Sequence, residues 1–201
     1  MDKAAKRLAV IYVILLSLCA PLMAVHFELF TWFMGVVDMS YWTQTVLWFL
    51  PMLVYGGILV VLGIWNMVKS FQIYKRQDML GCINGMLIHK YGLVIFFCVN
   101  FIVLFLVYFM LTFGLVMGTR GLALLIAPVW LPFVLIMIGW SIVMSWLAIL
   151  PGSIYSIQVI RGSVRTGKIS GGAAVLHGIL QFLFLADVLD AMYLAAGKWG
   201  R

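Results

Sequence analysis

The fold is decided by residues 93–117, LVIFFCVNFIVLFLVYFMLTFGLVM, an apolar run without a charged side chain. A helix of about 20 residues crosses the hydrocarbon core of a bilayer, so this run is long enough to span it. A strand of a membrane barrel would alternate apolar and polar residues over about ten positions, and the run has no such alternation. It therefore predicts a transmembrane helix.

The composition extends this prediction to the whole chain. Of the 201 residues, 66% are hydrophobic and 9% are charged, with a mean hydropathy of +1.17. Soluble proteins carry about 25% charged residues, so a water-soluble fold is excluded. We predict one all-α membrane domain over residues 1–201, a polytopic transmembrane helical bundle. Its five spans are expected at about 8–25, 45–68, 92–117, 122–149 and 173–195.

The net charge of +7 comes from short loops and forms no long basic stripe, so nucleic acid is not an expected partner. With five spans, ten basic residues fall on one side of the membrane: Lys3, Lys6, Arg7, Lys69, Lys75, Arg76, Lys90, Arg161, Arg165 and Lys168. Arg120, Lys198 and Arg201 fall on the other side. Because basic loops stay in the cytoplasm, we expect a cell-membrane protein with its N-terminus cytoplasmic and its C-terminus outside.

Two segments near the N-terminus allow alternatives. The first span could be a signal peptide, but a bulky Leu18 precedes Cys19 where a cleavage site needs a small residue, so we favour an uncleaved span. Residues 26–44 are aromatic but include Glu28 and Asp38. We expect an outer segment at the headgroup level, because a sixth crossing would reverse the sidedness of the basic loops.

Ionisable residues inside a span are costly and need a reason. Asp187 and Asp190 stand three residues apart in the fifth span, on neighbouring helix faces near its predicted outer end. In one interpretation they form a carboxylate pair that binds a proton, a cation or a basic ligand. In the other they mark an acidic helix end that pairs with Arg120 or meets interfacial water.

Other polar residues have two interpretations as well. Asn100 is expected to hydrogen-bond to another helix. His177 and Gln181 lie one turn apart, and with His89 they either line a vestibule or pack; Glu28 marks a cavity mouth or a solvated interface. The candidate intramembrane polar or binding residues are Asp187, Asp190, Asn100, His177, Gln181 and Glu28.

Signatures of enzymes and cofactors are missing from the sequence. It has no HExxH, no glycine-rich phosphate loop and no GxSxG elbow. Cys19, Cys82 and Cys98 have no CxxC spacing, and His89 and His177 have no third ligand fixed by spacing. We expect neither an enzyme nor a bound metal or cofactor.

Two stretches carry a resemblance to known sequences: Lys90 to Phe101, and the run from Leu150-Pro151-Gly152 through Leu176-His177-Gly178 to Asp187-Val188-Leu189-Asp190. They resemble a family of small, uncharacterised multi-pass membrane proteins of Firmicutes. The resemblance implies that Asn100, His177, Gln181 and Asp187 belong to the family's recurring polar set. It implies no activity.

Two functional hypotheses remain. In the first, the chain is a non-catalytic accessory or partner-binding membrane component, whose partners are the lipid bilayer and either another membrane protein or a second copy of itself. Its few buried charges and small loops favour this. In the second, it is a small transporter or substrate-binding module with a polar intramembrane site around Asn100 and Asp187.

Overall fold

The computed structural model describes residues 3–125, 127–183 and 186–196. All regular structure in these ranges is helical, which confirms the all-α fold class. The elements are α1 Lys3–Val36, α2 Tyr41–Lys75, α3 Met79–Gly118, a single 3₁₀ turn Leu122–Leu124, α4 Ala127–Arg165, α5 Gly171–Leu180 and α6 Ala186–Ala196.

Four of these helices, α1 to α4, are long and apolar enough to cross a membrane. Helix α3 is the central one and packs against α1 and α4. It begins at Met79, well before the predicted start at residue 92, because the Asp78 carboxylate caps its first turn by accepting a hydrogen bond from the Gly81 amide at 2.7 Å. Its 40 residues extend about 60 Å, roughly twice the hydrocarbon thickness.

The predicted outer segment at 26–44 is not a separate element. Helix α1 continues through it to Val36, and α2 begins at Tyr41 after the Ser40 side chain accepts a hydrogen bond from the Thr43 amide. The segment is therefore the junction of two long helices.

The fourth span does not end at residue 149, because α4 continues through Pro151 to Arg165. A proline removes one helical hydrogen bond, and neighbouring helices can stabilise the helix around it. Here Pro151 lies against α2, where a Cβ added to Gly63 would stand 3.7 Å from the proline ring.

The predicted fifth span, 173–195, is not a continuous helix. Helix α5 starts at Gly171 with Ser170 as its cap, ends at Leu180, and is followed by a turn at 181–183 before α6 begins. Ala191 and Leu194 of α6 share a buried cluster with Ala5 of α1 and Cys82 of α3. The chain thus turns back, and α6 ends at the end of the bundle where α1 begins.

The described part of α6 thus ends at the same end of the bundle as the start of α1, whereas a continuous fifth span would have led to the opposite end. Of the basic residues assigned to that opposite end, Lys198 and Arg201 lie outside the described residues. We call the end that holds the two core clusters the base. Its buried apolar residues are Ala5, Tyr12, Val13, Leu16, Ile73, Cys82, Ile83, Met86, Leu93, Phe96, Ala148, Ile149, Tyr155, Val159, Ile160, Ala191 and Leu194.

The rest of the four long helices is packed differently. Among the described side chains, buried residues stop after Ala20 in α1 and after Asn100 in α3; they begin only at Gly63 in α2 and at Ala148 in α4. We call residues 21–36, 41–62, 101–118 and 127–147 the outer halves. Many of their large apolar side chains are exposed in the described chain.

The return of α6 makes a prediction about membrane topology. In a variant without the native cysteines, Lys6→Cys and Ala196→Cys should react with a membrane-impermeant maleimide in vesicles of one orientation, because both exposed residues lie at the base. Arg120→Cys, in the turn at the opposite end, should react only in vesicles of the other orientation. Labelling of Ala196→Cys together with Arg120→Cys would contradict the fold.

Candidate functional site: a buried charge network

A buried ion pair joins α3 to α6. The Lys90 ammonium group lies 2.7 Å from an Asp187 carboxylate oxygen, and the two side chains are 1% and 4% exposed. Removing one partner of such a pair leaves an uncompensated buried charge, which typically costs about 3 to 5 kcal/mol. Each residue therefore stabilises the burial of the other.

The same lysine explains why α5 ends where it does. The Gln181 carbonyl accepts a hydrogen bond from the Ser153 hydroxyl at 2.7 Å and a longer one from Lys90 Nζ at 3.5 Å. Lys90 Nζ also donates to Ser153 Oγ at 3.2 Å. A carbonyl at a helix end needs a partner outside its helix, and α3 and α4 provide it here.

A second set of contacts joins α5 to α6. His177 Nδ1 lies 2.5 Å from one oxygen of Asp190, and the Gln181 amide donates to the other oxygen. His177 is one turn before Gln181, so both reach the same carboxylate. The two aspartates thus have separate partners and do not face each other as a pair that shares one proton.

Close approach of α3 and α4 makes room for this network. A Cβ added to Gly152 of α4 would stand 2.9 Å from the His89 Cβ and 3.6 Å from Lys90 Cε. Next to Lys90, the His89 ring is fully buried, stacks on Tyr155 at 5.2 Å and has its Nδ1 2.8 Å from the Gly85 carbonyl oxygen. The glycine lets the lysine stem lie along α4.

The structure brings together four of the six predicted candidates: Asp187, Asp190, His177 and Gln181. The other two lie elsewhere. Asn100 is about 15 Å along α3 from Lys90 and donates to the Phe96 carbonyl of its own helix at 2.8 Å, not to another helix as expected. Glu28 is exposed on α1.

The aspartates do not pair with Arg120, which was one of the alternatives that the sequence left open. Arg120 is exposed in the turn after α3, whereas Asp187 lies at the base and pairs with Lys90. Lys90 was assigned to a basic loop because it directly precedes an apolar run. A sequence signal existed: a buried carboxylate requires a counter-charge, and Lys90 is the basic residue at the edge of that run. No sequence signal marked Ser153.

The charged groups of this network form their ion pairs and hydrogen bonds with other groups of the same chain. Lys90, Asp187 and Asp190 each have polar partners within the chain, while Gln181 Oε1 and His89 Nε2 are buried without a partner among the described residues. No group of three or more His, Cys, Asp or Glu residues is placed to hold a metal in the described part of the chain. Two surface grooves, of about 450 and 190 Å³, are lined by none of the three charged residues.

The ion pair makes a stability prediction. Lys90→Met should lower the free energy of unfolding by about 3 to 5 kcal/mol, because Asp187 then remains buried and unpaired. The double variant Lys90→Met/Asp187→Leu should lose much less than the sum of the single variants. Reversible unfolding in detergent micelles measures this, with Lys75→Met as an exposed control that should change little. Additive losses would contradict the pairing.

The sequence matches the model of a known protein family. The model of a protein family described as Family of unknown function (DUF6652) matches residues 3–201. No curated protein and no solved structure matches the chain. An uncharacterised family was expected from the resemblance, and the link to Firmicutes stays an expectation.

Proposed function

Since the chain belongs to the Family of unknown function DUF6652, we propose its role from its structure: a non-catalytic membrane component that binds a partner helix through its outer halves. The four long apolar helices of the chain are compatible with a membrane protein. One observation carries the proposal: glycines of the long helices contact other helices at the base but contact none in the outer halves.

At the base, the glycines of α3 and α4 serve contacts within the chain. A Cβ added to Gly85 would meet the Tyr155 ring, one added to Gly92 would meet Val13, and one added to Gly152 would meet His89. Each of these glycines therefore allows two helices of the same chain to approach closely.

In the outer halves, glycines have no such contacts. A Cβ added at any of them meets nothing within 4 Å in the described chain: Gly35, Gly56, Gly57, Gly114, Gly118 and Gly139. A glycine costs about 1 kcal/mol relative to alanine inside a helix. Helices in lipid associate through small residues, and Gly114 and Gly118 have the GxxxG spacing that brings two backbones together.

The same segment of α3 presents a flat aromatic face. Phe101, Phe105, Phe109 and Phe113 follow one another at every fourth position, with consecutive rings 5.3 to 6.1 Å apart and nearly parallel. All four are between 45% and 71% exposed. Such a row offers a large, rigid surface to another helix, and lipid tails would also solvate it.

Site-specific photo-crosslinking in the host membrane tests this proposal. A photoreactive residue at Met117, which is 62% exposed beside Gly118, should give one discrete crosslinked product, either with a second copy or with one other membrane protein. Gly118→Leu should remove the product, because a large side chain prevents close approach of a second backbone.

A matched control is available on α1. A photoreactive residue at Ile14, which is 52% exposed on a part of α1 without an open glycine, should give lipid adducts only. Equal crosslinking from both positions, or a product from Met117 that survives Gly118→Leu, would rule out the glycine face as a docking surface.

We propose further that the base lies in the cytoplasm. The base carries nine exposed or half-buried basic residues: Lys3, Lys6, Arg7, Lys69, Lys75, Arg76, Arg161, Arg165 and Lys168. Among the described residues, one basic residue, Arg120, lies at the opposite end. The positive-inside rule favours this orientation, with both described ends of the chain at the cytoplasmic face.

A small transporter is the second candidate, and one observation favours it. The helical segment after α4 is broken at 181–183, next to the buried Lys90–Asp187 pair, and interrupted helices beside buried charges occur at transporter binding sites. The binding site of such a transporter would be centred on Asp187, and Asn100 would lie outside it.

A flux experiment separates the two candidates. If the chain transports protons or cations, purified protein in vesicles should dissipate an imposed proton or cation gradient. Asp187→Asn should abolish the flux in preparations whose circular dichroism shows the native helix content, a check that is needed because the variant leaves Lys90 buried without its counter-charge. The accessory role predicts a flux equal to that of empty vesicles for both forms. A flux that Asp187→Asn removes would replace the accessory role with transport.

A further inference from the structure

A groove at the base joins an apolar floor to two cationic side chains. It lies between α4 and α5, has a volume of about 450 Å³, and is bounded on one side by Tyr74 at the end of α2. Ile157, Ile160, Val164, Ala174 and Val175 form its apolar lining. The groove is separate from the buried charge network and from the outer halves.

The cationic part of the groove is formed by Arg161 and Arg165. They stand one turn apart on α4, so their side chains lie on the same helix face. Arg161 is held over the Tyr74 ring, with 5.4 Å from the guanidinium carbon to the ring centroid. A guanidinium group presents several N–H donors in a plane, which matches the oxygens of a phosphate.

The apolar side of the groove is open to the surroundings of the bundle. Val175 of the lining is 65% exposed, and Leu176 and Ile179, which lie on α5 outside the lining, are 58% and 56% exposed. A row of exposed aliphatic side chains next to arginines is typical of a helix at the boundary between headgroups and acyl chains. The groove is therefore placed to receive a molecule from the bilayer.

We propose that this groove binds one anionic glycerophospholipid, with its phosphate on Arg161 and Arg165 and the start of an acyl chain along the floor formed by Ile160, Ala174 and Val175. Basic pockets between helices at the cytoplasmic side of a membrane are the kind of site that lipid headgroups occupy. A lipid combines the negative charge and the apolar tail that the two parts of the groove require. A soluble phosphate ester would use only the arginines.

Native mass spectrometry with a defined lipid tests the proposal. The full chain, delipidated in detergent, is titrated with phosphatidylglycerol, and phosphatidylcholine serves as the zwitterionic comparison. We expect one tightly retained phosphatidylglycerol per chain. Arg161→Gln/Arg165→Gln should bind it about thirtyfold more weakly, the combined effect of removing two basic contacts.

Two matched variants separate the groove from general surface charge. Lys75→Gln/Arg76→Gln removes the same charge from exposed positions outside the groove lining, and it should bind phosphatidylglycerol like the unaltered chain. Gly178→Leu keeps every charge but places a side chain in the groove, since a Cβ there meets no atom within 4 Å. It should lose the lipid, whereas Gly172→Leu on the same helix should keep it.

Each outcome decides the proposal. Loss of the lipid from Arg161→Gln/Arg165→Gln and Gly178→Leu, with retention by both controls, would establish the site. Equal loss from Lys75→Gln/Arg76→Gln would show nonspecific attraction to a basic surface and overturn it. Unchanged retention by Gly178→Leu, or equal competition by soluble glycerol 3-phosphate, would overturn the role of the apolar floor.

Discussion

The contact between the Lys90 ammonium and the Asp187 carboxylate sets the conditions for the rest of the base. Two charges this deeply buried are tolerated only together, so Asp187 of α6 has to lie against Lys90 of α3. The break after α5 follows from the same requirement. Lys90 and Ser153 supply the partners that the Gln181 carbonyl loses when the helix stops, and the turn then carries Asp187 back to the lysine.

The base and the outer halves are therefore stabilised by different interactions. At the base, small residues such as Gly85 and Gly152 draw α3 and α4 together around polar side chains. The charged groups of Lys90, Asp187 and Asp190 find their polar partners within the chain there. In the outer halves, the apolar surface gains nothing from burial within the chain, because lipid tails are as apolar as the side chains. Close packing there requires two helix backbones to approach each other. Within the described chain, no other helix approaches the glycines of the outer halves.

The sequence was sufficient for features that depend on local composition. Long apolar runs predict the all-α class and the four long helices, and the cost of ionisable groups in a span singles out Asp187 and Asp190. The spacing of one helical turn adds His177 and Gln181. Features that depend on tertiary contacts were missed. Neither glycine nor proline marks the break at 181–183, and Pro151, a strong local stop signal, is overridden by its packing against α2. Lys90 looked like a loop charge because the cap at Asp78 lengthens α3 beyond its apolar run.

The separation of the paired charges along the chain has a consequence for biosynthesis. Asp187 follows Lys90 by 97 residues, which a ribosome adds in roughly 5 to 20 s. During that interval α3 and α4 enter the membrane while the lysine has no counter-charge, so its ammonium group must stay hydrated near the headgroups. The base can close only after α6 emerges. Until then the nascent chain presents a helix pair with an unpaired cationic group.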